Sequence, residues 1–379
     1  MNKKQSWNIN TLFLVMIFGF TAASLLKPDT EFSDNENRAL AQRPKLSAET
    51  LLGGQFSTDY ENYLTDQFVL RDHWIGLKTE AERAMLKQET NDVYFADDDY
   101  LIEKHTGSFD TDLAGSNIGL LSSFFEKLAG QYDSQHLTAM VVPNAVDILR
   151  DKLPAFAAPY DEEVYLDQIR SSLPEGVWLD TSVLLQGHKE EELYYRTDHH
   201  WKTLSAFYAY QQWCTKAGLK AAVPEDYTIQ TVTEEFQGTI SSKVGMKVPS
   251  DSIQIYEPKE PVSYTLTYNQ SEDVRSSLYD MTQLNGKDKY AVFLGGNYGL
   301  IESKTDASAG RRLLVLKDSY AHCFLPFVIQ NFDQVDIVDL RYFNQSLSEY
   351  MASKDYTDVL FLYNASGFAE DTSLAKLGV

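Results

Sequence analysis

Cysteine is scarce in this sequence: Cys214 and Cys323 are the only two in 379 residues. Two cysteines build neither a disulfide framework nor a four-cysteine zinc site. Basic residues are outnumbered as well. Lys and Arg total 33 against 55 for Asp and Glu, so the net charge is 33 − 55 = −22. That balance argues against a nucleic-acid binder, which needs a basic footprint. It also disfavours broad electrostatic adhesion to anionic lipid or anionic polymer. Internal repeats and strongly biased segments are absent. What is present is a 43% hydrophobic and 13% aromatic composition, which excludes a disordered chain. The length suits two domains or one large α/β domain with an insertion.

Lys3 and Lys4 precede an uncharged stretch from Gln5 to Leu26 whose apolar heart is residues 12–26. The stretch is long enough to cross ~30 Å of hydrocarbon. Basic residues before it and Asp29, Glu31, Asp34 and Glu36 after it fit positive-inside insertion, with the body outside the cytoplasm. It reads as an uncleaved signal anchor. The alternative is a cleaved signal peptide and a secreted product, since Ala22-Ala23-Ser24 offers small residues to a peptidase. The expected organisation is therefore a cytoplasmic stub and anchor over 1–27, a polar tether over 28–46 with Pro28 and Pro44, and one exported domain over 47–379.

Within that domain, Ser47 caps an expected helix through Asp66, with Glu49 in its first turn. Further helices are expected over 71–86, 115–132, 160–173, 204–217, 319–331 and 345–354. Short strands are expected at 93–95 and 100–102, with Asp97-Asp98-Asp99 as the polar turn between them. Continuous apolar runs at 137–142, 177–179, 291–294, 313–316, 335–338 and 359–363 suit parallel strands buried on both faces. Their alternation with helices predicts a parallel sheet sandwiched by helices. Residues 218–289, rich in Thr, Ser and Tyr with alternating segments at 227–232, 252–256 and 263–268, read as an antiparallel β insertion.

Two places carry chemistry. One is Tyr194-Tyr195-Arg196-Thr197-Asp198-His199-His200-Trp201, at the mouth of a helix. The other is Leu313-Leu314-Val315-Leu316-Lys317-Asp318-Ser319-Tyr320, where a buried strand runs into a helical segment with a serine at the junction. Catalytic groups of open α/β sheets gather at the carboxyl ends of strands. A following helix aims free N–H groups at an oxyanion formed there. Serine needs a base, histidine has a suitable pKa, and a carboxylate must orient the imidazole. One Asp-x-His element supplies both partners. Each piece also has a plainer reading: a serine at a helix start is most often a cap, and paired histidines also bind metal. Asp198-His199-His200 occurs in DHH phosphoesterases too, but their further Asp-rich motifs are not found here. Cys214 and Cys323 read as two buried thiols, Cys323 on the same helical face as Ser319.

Arg196–Trp201 (RTDHHW) resembles the signature of the DHHW protein family, which is similar to the alginate O-acetyltransferases and their SGNH-hydrolase-like domains. Glu36-Asn37-Arg38 with Pro44, Val142-Pro143-Asn144, Gly295-Gly296-Asn297, Lys317-Asp318-Ser319-Tyr320, Asp339-Leu340-Arg341-Tyr342 and Leu362-Tyr363-Asn364 extend the resemblance over most of the exported part. It implies an SGNH-hydrolase-like α/β fold and a triad of Asp198 as orienting carboxylate, His200 as general base and Ser319 as nucleophile. It also implies Arg341, Tyr363 and Asn364 as substrate or oxyanion contacts and His199 as a pocket residue. Trp201 near the triad is a candidate sugar platform, against simple packing. SGNH-type nucleophile segments usually read Gly-Asp-Ser, and this chain has Lys317 where the glycine would be.

The expected activity is acyl, chiefly acetyl, transfer to or from polysaccharide hydroxyls, with no metal or organic cofactor. By analogy the donor partner is a membrane-bound O-acyltransferase. An anionic glycan would need a local basic groove from Arg341 and Lys317. The alternative is a catalytically idle glycan-binding or scaffold protein of the cell envelope.

Overall fold

The structure is a computed structural model that describes residues 3–36 and 38–378. Asn37, in the middle of Glu36-Asn37-Arg38, lies outside the described residues. The chain divides into two compact units, one of residues through Lys87 together with Ser242–Met246, the other of Gln88–Ser241 and Lys247–Val379.

The first unit begins with the helix Lys3–Leu26. Its Trp7–Leu26 portion, of mean hydropathy 2.0, is long and apolar enough to cross a membrane by length and composition. The helix expected over 47–66 is two helices, Ala48–Leu52 and Gln55–Asp66. Ser47 caps the first as expected, but Gly54 takes φ +78° between them, a left-handed conformation that suits glycine and ends helical continuity. Arg38 is the unit's charged hub: it pairs with Glu36 at 2.6 Å and with both oxygens of Asp66 at 2.6 and 2.9 Å.

The second unit is built on a seven-stranded sheet. Its strands are β1 (Leu137–Val142), β2 (Tyr264–Tyr268), β3 (Val274–Arg275), β4 (Leu300–Thr305), β5 (Arg312–Lys317), β6 (Gln334–Val338) and β7 (Asp358–Asn364). Their order is β3-β2-β4-β6-β5-β7-β1. β6, β5, β7 and β1 run parallel, while β3, β2 and β4 extend the sheet antiparallel beside β6.

The parallel strands read as near-continuous apolar runs because both faces are covered, with the buried Asp336 of β6 an interruption. Leu313 and Val315 of β5 and Leu360 and Leu362 of β7 join one core. Their neighbours Leu314, Leu316, Val359 and Phe361 join the other. The helix Thr203–Ala217 contributes Phe207, Tyr210 and Trp213 to the first core. Asp112–Ala129 and Glu162–Ser172 contribute Leu121, Phe125, Tyr165 and Ile169 to the second. Each fully buried large side chain of this kind is worth about 1.5–3 kcal/mol, so the alternation pins the register.

Several segments differ from the sequence expectation. Val177–Leu179 gives one parallel bridge, Trp178 to Ala139, rather than a strand. Residues 291–294 are no strand either: a 3-10 turn, Lys289–Val292, leads into Leu294, Gly295 and Gly296 at φ +66°, +78° and +116°. The run is apolar because it is buried, and its pairing is limited to an isolated antiparallel bridge from Phe293 to Tyr279. The helix expected over 319–331 is a 3-10 turn (Ser319–Cys323), an α-helical turn (Leu325–Val328) and another 3-10 turn (Ile329–Asn331), with Pro326 in the middle, where it cannot donate to an α-helical ladder. The β-rich interval is not one insertion. Tyr227–Phe236 and Asp251–Pro258 form their own antiparallel pair, whereas β2 and β3 belong to the main sheet. Asp97–Asp99 forms the expected turn between Val93–Phe95 and Leu101–Glu103.

Candidate active site

β5 lies between β6 and β7 in the parallel part of the sheet. Ser319 follows its carboxyl end and opens the turn Ser319–Cys323. Asp318 braces that junction. Its Oδ1 accepts from the Tyr320 amide at 2.8 Å, and its Oδ2 accepts from the Asn364 amide at 2.8 Å and from Asn364 Nδ2 at 2.6 Å. Burial pushes the Asp318 carboxyl up to about 6, against the opposite pull of Arg341 and these amides. Asn364 Oδ1 accepts from the Gly367 amide and Ser366 Oγ, both at 2.8 Å. A Cβ on Gly367 would lie 2.5 Å from Asn364 Nδ2, so the brace needs a glycine there.

The histidine arrives on a tight loop. Tyr194 bridges Trp201, and the Tyr195 amide donates to the His200 carbonyl at 3.2 Å. Asp251, wholly buried, pins the loop from outside. Its Oδ1 accepts from the Arg196 amide at 3.0 Å, and its Oδ2 from the Thr197 amide at 2.9 Å and Thr197 Oγ1 at 2.7 Å.

Across this arrangement His200 Nε2 lies 2.8 Å from Ser319 Oγ, and His200 Nδ1 lies 2.5 Å from Asp198 Oδ1. Asp198 Oδ2 accepts from the Thr239 amide at 3.0 Å and from Thr239 Oγ1 at 3.1 Å. Burial alone would raise the Asp198 carboxyl. The two imidazoles and the bonds from His200 and Thr239 outweigh it and hold the group well below the usual carboxylate range. Burial, seconded by His199, pulls His200 down to about 4 against the attraction of Asp198. At neutral pH the row therefore holds an ionised carboxylate and a neutral imidazole, the state a general base requires. Ser319 itself is partly exposed.

His199, one-third exposed, puts its ring 3.9 Å from that of His200 and its Nδ1 3.1 Å from Thr239 Oγ1. Asp198, His199 and His200 bring three potential ligand atoms within 4.8 Å of one another. A metal there would have to displace the bonds to Ser319 and Thr239 just described.

The other sequence candidates sit elsewhere. Trp201 is fully buried and donates its Nε1 to the Tyr320 carbonyl at 2.8 Å, so it offers no sugar platform. Tyr363 is buried against Phe361 and Phe368, with no hydrogen-bond partner for its hydroxyl among the described residues. Asn364 gives one Nδ2 hydrogen to Asp318, and its Oδ1 accepts from Asn144 Nδ2, Ser366 Oγ and the Gly367 amide. Arg341 grips Asp339 with Nε at 2.9 Å and Nη2 at 2.7 Å, leaving its side chain 35% exposed.

Lys317 is 1% exposed. Its ammonium donates to Asp339 Oδ2 at 2.9 Å and to His322 Nε2 at 2.8 Å. Lys317 lies in regular strand paired with Leu362 and is not among the positive-φ residues, so its backbone conformation does not demand the glycine usual at that place. With Lys317 sealed in and Arg341 held by Asp339 and facing the Asp318 carboxyl, these two do not form a basic groove. Cys214 and Cys323 are buried and unpaired, as expected.

Sequence reasoning missed Thr239, Gly238, Asp251, Asp339 and Tyr290. A Cβ on Gly238 would lie 2.2 Å from the Cβ of Asp198. Tyr290 stacks on His200 with ring centres 3.8 Å apart and planes at 13°. Asp339 stands in the segment Asp339-Leu340-Arg341-Tyr342, where no role was assigned to it, and the other four stand in no recognisable motif. They reach the site through pairing and loop closure, which a local pattern does not encode.

The molecule is thus a mixed α/β protein with a serine–histidine–aspartate row at the carboxyl edge of its parallel strands. It belongs to the DHHW protein family, whose profile matches residues 108–338, more than half of the chain. It is similar to the crystal structure of a DHHW family protein from Eubacterium siraeum (25% identity, TM-score 0.60, covering 76% of this chain and 96% of that one). It is also similar to Bacillus cereus PatB1 (22% identity, TM-score 0.61, covering 73% and 97%). A second PatB1 structure, with a sulfonyl adduct, gives 22% identity and TM-score 0.59 over 74% and 98% of the two chains. The PatB1 likenesses speak to the fold. No curated protein matches the chain.

Proposed function

We propose that this protein is a membrane-anchored, extracytoplasmic serine O-acyltransferase or esterase with an SGNH-hydrolase-like domain, acting on a cell-surface or secreted polysaccharide. The observation that carries the reading is the continuous row from Asp198 Oδ1 through His200 to Ser319 Oγ, with links of 2.5 and 2.8 Å. Ser319 Oγ attacks the acyl carbonyl carbon while its proton passes to His200 Nε2, and the carbonyl electron pair moves onto oxygen. The Ser319 amide, first in its turn and without a partner inside it, is a main-chain donor suited to that oxyanion. Collapse breaks the bond to the leaving oxygen, which takes the proton from His200. An acceptor hydroxyl then repeats the sequence on acyl-Ser319: a sugar hydroxyl gives transfer, water gives hydrolysis. Asp198 stays ionised and steadies the imidazolium.

A neutral glycan suits the site, since Lys317 is buried, Arg341 is opposed by both Asp339 and Asp318 and the chain carries −22 overall. A donor relayed by a membrane-bound acyltransferase suits an acyl-serine intermediate on a membrane-anchored chain.

The experiment is acyl turnover by the detergent-solubilised full chain on p-nitrophenyl acetate, then with oligosaccharide acceptors and mass spectrometry. Acetylated sugar establishes transfer, acetate alone establishes hydrolysis, and glycan retention without turnover of any ester rejects the enzyme in favour of a binding protein.

A further inference from the structure

We infer that Tyr290 is a positioning residue that locks the His200 imidazole in line between Asp198 and Ser319, a role that rests on the acyl-transfer reading above. Two contacts from one side chain carry the inference. Its ring lies flat on His200, centres 3.8 Å apart and planes at 13°. Its hydroxyl donates to the carbonyl oxygen of Ser319 at 3.1 Å and lies 3.5 Å from Cys323 Sγ. Tyr290 therefore holds the base by its face and the nucleophile by its main chain, and sets the separation between them.

The other face of His200 is also occupied. The ring of His199 is centred 3.9 Å away, and two rings that close cannot share one face without colliding. His199 is itself anchored to Thr239, the residue that also fixes Asp198. An imidazole leaves its working line by tilting or by turning about its ring bond, and either movement drives it into one of these rings. When His200 takes the serine proton it becomes a cation stacked on an aromatic face, an arrangement that favours the charged form. The same contact thus orients the base before proton transfer and steadies it afterwards.

Tyr290 is held for this task. It is 3% exposed. Phe293 packs 5.2 Å from its ring and Tyr195 meets it edge-on at 6.2 Å. It stands in the 3-10 turn that replaces the expected strand, and the chain leaves that turn through three consecutive positive-φ residues. A Cβ on Gly295 would lie 2.5 Å from Arg275 Nη1, so the exit is shaped around glycine. A regular strand through 291–294 would not present Tyr290 in this way.

The test uses the full chain with Tyr290→Phe, Tyr290→Leu and Ser319→Ala. The readouts are p-nitrophenyl acetate turnover across pH and the rate of Ser319 sulfonylation by phenylmethylsulfonyl fluoride, with circular dichroism to report folding. Tyr290→Phe keeps the stacked ring and loses one hydrogen bond; it should slow both reactions by only about threefold and leave the acid limb of the pH profile in place. Tyr290→Leu removes the ring; it should lower kcat by about 30-fold or more at little cost in KM and move the acid limb upward by about one pH unit, because relief of burial, the largest cause of the low imidazole value, outweighs the lost contact of the cation with the ring. A folded Leu variant with wild-type rates and an unmoved acid limb overturns the inference. So does a loss of rate that only follows the folded fraction, with the acid limb unmoved. If Ser319→Ala keeps turnover and labelling, the acyl-transfer reading fails first. If it loses both while the Leu variant behaves as wild type, the triad stands and only Tyr290 is dismissed.

Discussion

Two polar rows flank Ser319, built from nearly the same parts and put to different use. On one side Asp198 meets His200, and the row ends on the serine hydroxyl. On the other Asp339 meets Lys317 and Arg341, and Lys317 in turn meets His322. Each row contains a buried carboxylate held low and a buried histidine held neutral. The difference lies in what fills the far ring nitrogen. His322 Nε2 accepts a hydrogen bond from an ammonium and has no lone pair to spare. His200 Nε2 faces a hydroxyl that has a proton to give. The comparison teaches that composition and burial do not make a base; the partner at the end of the row does.

The largest break of that comparison is to remove the reacting ends. Ser319→Ala and His200→Ala should each lower ester turnover by about 10³-fold or more, with no additivity in the double variant. His322→Gln should leave a folded protein within about threefold of the parent rate, because the amide oxygen can still accept from Lys317. Steady-state kinetics on p-nitrophenyl acetate reads all four. Equal rates in the Ser319, His200 and parent proteins would erase the distinction between the rows.

The closed row should fail as structure instead. Asp339→Asn strands the Lys317 ammonium, which is 1% exposed beside a wholly buried partner. Removing one member of a buried ion pair costs about 3–5 kcal/mol, and urea unfolding should show a loss of that order. Gly238→Ala attacks the open row through its orienting carboxylate, since the new Cβ would overlap Asp198. Turnover should fall by about 10- to 100-fold with a smaller loss of stability. An unchanged rate would mean that Asp198 tolerates displacement and does not orient the base.

What the sequence showed of this arrangement follows a physical line. β1, β5, β6 and β7 were legible because a strand buried on both faces is apolar nearly throughout, Asp336 of β6 being an interruption, and Asp198, His200 and Ser319 because motif and strand end coincide. The run at 291–294 was misread because four apolar residues look alike in a strand and in a buried turn. β2 was taken for part of an insertion because its ladder partner, β4, lies more than thirty residues away. Thr239 and Asp251 were invisible for the same reason, and the role of Asp339 was hidden although its segment was recognised: each meets the site through a contact between residues 22 to 55 positions apart. Trp201 looked like a platform because aromatic composition does not reveal which face of the chain is covered.

The smallest expected effect concerns acid, and it separates function from stability. His200 sits at about 4 in the fold against about 6.5 for an exposed histidine. Between those values the unfolded chain binds the extra proton, so the His200 contribution to stability is complete above about pH 6.5 and is lost as pH falls toward 4. His322, held neutral by burial and Lys317, acts in the same sense. Asp318 acts oppositely. Its folded value is about 6 against about 3.9 unfolded, so there the native state binds the extra proton and gains stability as pH falls from 6 toward 4. The terms offset, and the melting temperature should decline only gently from pH 7 to 5, whereas Asp318→Asn, which removes the compensating carboxyl, should decline more steeply. Activity should not follow this balance. It depends on neutral His200 alone, so kcat/KM should stay on its plateau down to pH 5 and fall with an acid limb near 4. An acid limb at 6.5 would mean that water reaches the imidazole freely, and the two rows would then differ in burial as well as in partner.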